Sequence, residues 1–182
     1  MIAISLDAST SCIGWSIWDE DKLVDYGKLK PLIDKLEWRE RIQNFIPQLH
    51  DLMKRYKPQK VYIEDVPLYE GKKGKLTLVQ LGSVQGSLIG LCYSHNVEME
   101  FIPVSTWRKN IGILVGKKDR DTKKIMSINK ANELFGINLN CVMTKGGNYN
   151  SDKSDDDISD SILLYVSTRD KYKNKPTTFG RR

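Results

Sequence analysis

Histidine is scarce, cysteine comes in an odd number and no long apolar stretch occurs in this chain of 182 residues. His50 and His95 are its two histidines, and neither has an acidic residue or a cysteine at a spacing that would build a metal site or a Ser-His triad, so both read as ordinary surface or packing residues. Cys12, Cys92 and Cys141 lie far apart with no CxxC, which argues against a disulfide framework or structural zinc and for a reducing compartment. No run approaches about 18 apolar residues, so neither a membrane span nor a membrane partner is expected. The start, MIAISLDAST, lacks the basic region and the cleavage site of a secretory signal, and a cytoplasmic location follows as the expectation. Gly112–Lys118, GILVGKK, is not a P-loop: that motif needs four residues between its glycines and Ser or Thr after its lysine. The length suits one domain, which excludes enzymes built from two full lobes.

What is present is a basic, moderately apolar chain: hydrophobic residues make up 40%, enough for an ordinary core, and the net charge of +6 favours a polyanionic partner. Ile2–Asp7 and Ile13–Trp18 alternate and are rich in β-branched residues, and a third strand around Leu23–Leu29 follows the polar turn Asp19-Glu20-Asp21. A helix with apolar positions at Leu36, Ile42, Phe45, Ile46, Leu49, Leu52 and Met53 is expected next, capped by Asp34, kinked at Pro47 and ended by Pro58. Lys60–Val66 reads as a buried strand, Gly71–Lys75 (GKKGK) as a basic loop, Leu76–Ser94 as a helix and Glu98–Val104 as a strand. Ser105–Gly112 and a basic stretch over Lys117–Lys124 precede an amphipathic helix over Thr122–Phe135, a loop over Asn138–Ser154 and a last helix over Asp156–Thr168. This order describes a mixed five-stranded sheet, three antiparallel strands then two parallel, flanked by helices in one domain over 1–168. A basic tail follows over 169–182.

The carboxylates carry the chemistry. Asp7 and Glu64 each end an otherwise apolar strand, where a charge is costly unless a cation compensates it. Asp157 and Asp160 open the last helix at i and i+3 and so share a face. They belong to a cluster with Asp152, Asp155 and Asp156, which can also be read as a solvated acidic loop and helix start. An EF-hand is excluded, because the turn glycine and the closing glutamate are missing. Two strand-end acids and a helix-borne DxxD pair are what an oxygen-ligated Mg²⁺ or Mn²⁺ requires. Two such ions about 4 Å apart serve phosphodiester hydrolysis.

These segments together resemble a RuvC-type Holliday junction resolvase of the RNase H-like superfamily, in its phage-like branch. ISLDASTSCIGWSIWD is similar to that family's first hairpin with its catalytic Asp, VYIEDV to the strand carrying its Glu, and LGSVQGSLIG to the helix that follows. FIPVSTWRKNIG is similar to the next strand and its basic continuation, and DDISDSILLYV to the closing helix. The resemblance runs in order from Ile2 to about Val166. It implies an RNase H-like fold and a metal-binding catalytic tetrad of Asp7, Glu64, Asp157 and Asp160, with Asp156 as the rival of Asp157. It further implies two Mg²⁺ ions replaceable by Mn²⁺, and products bearing a 5′-phosphate and a 3′-hydroxyl. Basic residues near the site would be Lys109 and one of Lys117, Lys118, Lys123 or Lys124, and Tyr69 is a candidate junction wedge. Phosphate contacts are expected from Lys72, Lys73, Lys75, Arg108, Lys109, Lys117, Lys118, Lys123 and Lys124.

The implied partners are branched DNA, meaning four-way junctions with forks and flaps as further candidates, and a second copy of the chain, since paired nicks need two sites related by a twofold axis. The implied location is the host cytoplasm, if the source is a phage. Gly82, Gly86 and Gly90 leave one helix face bare, for close approach either to the domain's own sheet or, as the resemblance implies, to a partner helix. Two other readings of the same fold stand beside this one: a less selective fork or flap nuclease, and a non-catalytic binder of branched DNA. The first hairpin is also similar to the phosphate-binding hairpin of actin-like sugar kinases, but those need a second lobe and give the DxxD pair no role.

Overall fold

The alternation of apolar residues predicted for the first hairpin takes form as strands β1 (Ile2–Ala8) and β2 (Ile13–Asp19), followed by β3 (Lys22–Leu29). The computed structural model describes residues 1–33, 35–65, 74–113 and 119–170. Helix α1 (Trp38–Tyr56) leads to β4 (Lys60–Asp65), α2 (Lys75–Ser94) to β5 (Glu98–Pro103), and then come α3 (Val104–Asn110), α4 (Arg120–Phe135) and α5 (Asp156–Val166). The sheet has the order β3-β2-β1-β4-β5. Its first three strands pair antiparallel, and β4 and β5 join parallel to β1.

Both faces of the sheet are covered, so its central strands have no solvent side. Ile4, Leu6, Ile13, Ile17, Val61 and Ile63 point into one core with α1 and α2, whereas Ala3, Trp18, Tyr62 and Ile102 point into a second core with α3, α4 and α5. Side chains alternate along a strand, so Asp7, two residues beyond Ser5 and four beyond Ala3, belongs to the α5 face. Glu64, two residues beyond Tyr62, does too.

Several local expectations are revised. The entry to α1 is at Glu37, whose N–H donates to the Glu40 carboxylate at 2.8 Å; the cap expected of Asp34 falls on a position outside the described residues. Pro47 lies exposed inside a continuous helix. Residues Val104–Asn110, not expected to be helical, form α3 and bury Trp107. Helix α4 begins earlier than expected, where Asp119 accepts from the Thr122 N–H at 2.6 Å, and it closes at Gly136 with φ of 62°.

Helix α2 departs from two expectations. With a mean hydropathy of 1.3 over a membrane-length window, it is long and apolar enough to cross a bilayer by length and composition, although no unbroken apolar run exists. Val84, Leu88, Leu91 and Cys92 tie it into the core, so it cannot leave without opening the fold. Its glycines do not meet the sheet: Gly82, Gly86 and Gly90 are exposed, and a Cβ on any of them would have none of the described residues within 4 Å. His50 of α1 and His95 after α2 are packing residues, with His95 Nε2 and His50 Nδ1 2.7 Å apart and linking the two helices.

Candidate active site

One row across the sheet sets up the site. Lys28 of β3 pairs with Gly14 of β2, and Gly14 with Asp7 of β1. Beyond the Leu6–Ile63 pair of β1 and β4, the next step brings Asp7 beside Glu64. Lysine, glycine and two carboxylates therefore stand in line at the carboxyl ends of the parallel strands, where open α/β sheets bind ligands. The glycine is required there. A Cβ on Gly14 would lie 1.9 Å from the Asp157 carbonyl oxygen and 2.9 Å from the Ile158 nitrogen, so its absence lets the first turn of α5 rest directly on the sheet.

Helix α5 is buried on every side from Ile158 to Val166, its serines included. Those serines turn their hydroxyls to the helix's own carbonyls, Ser159 to Asp156, Ser161 to Ile158 and Ser167 to Leu164. That removes the desolvation cost of a polar side chain and keeps the helix thin. Trp18 stacks on Tyr165 with centroids 4.3 Å apart, and Ser16 Oγ donates to the Ser161 carbonyl at 3.2 Å. Helix α5 is thereby clamped to β2, and the DxxD pair is delivered over Asp7.

Asp7, Glu64 and Asp160 each offer a carboxylate oxygen within 4.8 Å of the others. Burial pushes the Asp7 carboxyl well above the usual carboxylate range, and the negative neighbours Glu64, Asp160 and Asp157 push it further. Burial also raises Asp160, against the pull of Arg108. Asp157 is raised by burial and by Asp156, and it borders the same cavity without belonging to the group of three. Asp160 Oδ1 is buried without a hydrogen-bond partner among the described residues. Mutually repelling, hard oxygen donors with one orphaned oxygen fit a divalent cation such as Mg²⁺ or Mn²⁺.

Two residues of α3 brace this cluster. Trp107 Nε1 donates to Glu64 Oε2 at 2.9 Å, and Arg108 Nη2 to Asp160 Oδ2 at 2.9 Å. Arg108 is thus the basic residue at the acids, while Lys109, its neighbour on the exposed side, does not line the cavity. Asp156, the rival of Asp157, has partners of its own. Both Asp156 oxygens are engaged, Oδ2 by Lys124 and Oδ1 by the Tyr149 hydroxyl at 2.7 Å.

A cavity of about 750 Å³ holds Asp7, Glu64, Asp157 and Asp160 together with Lys28, Lys30, Arg108, Arg120 and Lys124. Of the basic residues expected to meet phosphate, Arg108 and Lys124 line it, whereas Lys75, Lys109 and Lys123 do not. Tyr69, Lys72, Lys73, Lys117 and Lys118 lie outside the described residues, as does most of the basic tail. Lys28 and Lys30 were not anticipated, whereas Arg120 belongs to the basic stretch over Lys117–Lys124. The signal for the two lysines was present, since Lys28 lies near the end of β3 and Lys30 just beyond it, but only the register of β3 against β2 brings Lys28 level with Asp7.

No family model matches the chain. Over 103 residues it is 28% identical to the crossover junction endodeoxyribonuclease RuvC of Fusobacterium nucleatum, a match covering 54% of this chain and 52% of that protein. The chain thus spans about half the length of the curated relative it matches. Among solved structures, T. thermophilus RuvC in complex with Holliday junction substrate aligns over 92% of both chains, with a TM-score of 0.65 and 10% identity. The yeast mitochondrial Holliday junction resolvase aligns over 91% of this chain and 76% of its own, with a TM-score of 0.54 and 15% identity. The fowlpox virus resolvase, solved with Holliday junction DNA, aligns over 91% and 97%, with a TM-score of 0.51 and 14% identity. The strand order, the closing helix and these likenesses agree that the chain has the RNase H-like fold of the RuvC-type resolvases.

Proposed function

We propose that the chain is a divalent-metal-dependent endonuclease that resolves four-way DNA junctions by paired nicks, acting as a homodimer. The observation that carries this reading is the convergence of Asp7, Glu64 and Asp160 within 4.8 Å, in a cavity walled by lysine and arginine. Asp7, Glu64, Asp160 and the adjoining Asp157 would hold Mg²⁺ or Mn²⁺, two ions per site. Bound there, the metal supplies Lewis acidity and lowers the pKa of water to near neutrality.

The chain's own groups do the rest. Trp107 fixes the Glu64 carboxylate, and Arg108 balances Asp160. Lys28 from β3 and Lys30 just beyond it, with Arg120 and Lys124 from α4, present cations to the phosphates on either side of the acids. Attack in line with the leaving 3′ oxygen leaves a 5′-phosphate and a 3′-hydroxyl. Support for the dimer is the bare face of α2, where exposed Gly82, Gly86 and Gly90 run beside Leu76, Val79, Ile89 and Tyr93, the last 86% exposed. Small residues let a second helix approach closely, and the flanking apolar side chains would be covered by it.

The test is incubation of the purified protein with labelled four-way junction, fork, flap and plain duplex in Mg²⁺ and in Mn²⁺, with Asp7→Asn as control. Paired, ligatable nicks confined to the junction are expected. Unpaired cuts across forks and flaps would replace this reading with a debranching nuclease, and binding without any cleavage would leave only a DNA-binding module.

A further inference from the structure

Asp156, at the first position of α5, is 3% exposed and faces two donors, of which the catalytic reading uses only Lys124. Lys124 of α4 donates to its Oδ2, and the Tyr149 hydroxyl to its Oδ1 at 2.7 Å. The Lys124 ammonium also stands 5.7 Å from the centroid of the Tyr149 ring. The Lys124 and Asp156 side chains are 13% and 4% exposed, so the pair is largely withdrawn from water. Desolvation makes such a pair a weak source of stability. Its effect is one of place: a lysine that would otherwise swing on a flexible stem is held at the wall of the cavity containing Asp7, Glu64, Asp157 and Asp160. The preceding residue mirrors the arrangement on the opposite wall, where Asp155 Oδ1 accepts from Lys28 Nζ at 2.7 Å. Consecutive acids at the start of α5 thus hold one lysine from α4 and one from β3.

We propose that Asp156 and Tyr149 are positioning residues that aim Lys124 at a non-bridging oxygen of the DNA phosphodiester lying over the acidic cluster. The proposal rests on the nuclease reading and adds to it residues that neither bind metal nor touch DNA. Simple electrostatics and positioning predict opposite signs for one substitution. Asp156→Asn removes a negative charge from a cavity that must accept a polyanion, which by charge alone strengthens DNA binding and spares cleavage. If Asp156 aims Lys124, the same change weakens binding and slows cleavage.

The experiment measures junction affinity without divalent metal and single-turnover cleavage in Mg²⁺, for the full chain and its variants, each checked by thermal unfolding. Lys124→Ala is expected to slow cleavage about 10²-fold and to lower the salt slope of binding by about one. Asp156→Asn is expected to slow cleavage at least tenfold, and Lys124→Ala with Asp156→Asn to be no slower than Lys124→Ala alone, because the acid acts through the lysine. Tyr149→Phe keeps the ring, removes only the hydroxyl and gives a smaller loss, and it serves if Asp156→Asn does not fold. Wild-type cleavage by both positioning variants, or a double variant slowed by the product of its singles, overturns the proposal. Should the wild-type protein cut no branched DNA, the nuclease reading fails on that control alone. The placement of Lys124 is then decided by metal-free binding, where a tighter complex of Asp156→Asn refutes it and a weaker one upholds it.

Discussion

Gly14→Ala is the substitution whose consequence can be worked most directly from the coordinates. The new methyl group would sit 1.9 Å from the Asp157 carbonyl oxygen and 2.2 Å from its carbon, whereas ordinary contact begins at 3.4 Å. The strand and the helix must therefore separate by about 1.5 Å, and both obstacles are backbone, which no rotamer change can move aside. Retreat of α5 is opposed on its far side, because the helix is buried throughout and Tyr165 is stacked on Trp18. Overpacking of this kind costs about 3 kcal/mol. In a domain of this size that lowers Tm by about 6–12 °C. The same displacement carries Asp157 and Asp160 away from Asp7 and Glu64, and a misplacement of about 1 Å at a reacting centre costs about 10²-fold in rate. Calorimetry and single-turnover junction cleavage measure the two effects. Gly146→Ala is the control, since its methyl group would meet Thr144 Oγ1 at 3.9 Å and Asn148 Nδ2 at 4.0 Å, both ordinary contacts. A Gly14→Ala protein with the Tm and cleavage rate of Gly146→Ala would refute the account of how α5 is seated.

Asp7→Asn is expected to abolish cleavage, to spare junction binding and to raise Tm in EDTA. Because the folded-state carboxyl is raised by burial and by Glu64, Asp160 and Asp157, the metal-free wild-type protein loses stability as pH rises above the ordinary Asp value, and the variant should show less of that loss in unfolding scans between pH 4 and 8. Trp107→Phe deprives Glu64 of its indole donor and should raise the Mg²⁺ concentration for half-maximal cleavage about tenfold; an unchanged metal titration would remove Trp107 from the site. The His95 imidazole is pulled below its usual pKa by burial, His50 and Lys54, so the unfolded chain takes up the proton first and stability falls as pH drops below about 6.5. His95→Gln should flatten that part of the Tm profile between pH 7.5 and 5.5, and an unaltered profile would show that the pair does not titrate in this range.

Much of the site was legible before any coordinates because its signals are local. A carboxylate closing an apolar strand, as at Asp7 and Glu64, is visible in a window of six or seven residues, and DxxD at i and i+3 needs only the helical repeat. The strands and the longer helices followed from periodicity for the same reason, whereas the strand order β3-β2-β1-β4-β5 did not. Helix α3 escaped because seven residues are too few for a period to show, and with it went the parts played by Trp107 and Arg108. Lys109 was named beside the acids by the resemblance, whereas in the structure Arg108 is the neighbour whose Nη2 reaches Asp160.

The partners of Asp156, the pairing of His50 with His95, the free face of the α2 glycines and the places of Lys28, Lys30 and Arg120 belong to the tertiary structure. Each depends on partners far away in the chain. Lys124 reaches Asp156 across 32 residues, and Lys28 reaches Asp155 across 127. By itself, the sequence determined which residues carry charge to a strand end or a helix start, because backbone periodicity is local. Only the register of β1, β2 and β3 and the seating of α5 on Gly14 decided which of those charges meet, because a carboxylate's neighbours are set by packing across the sheet.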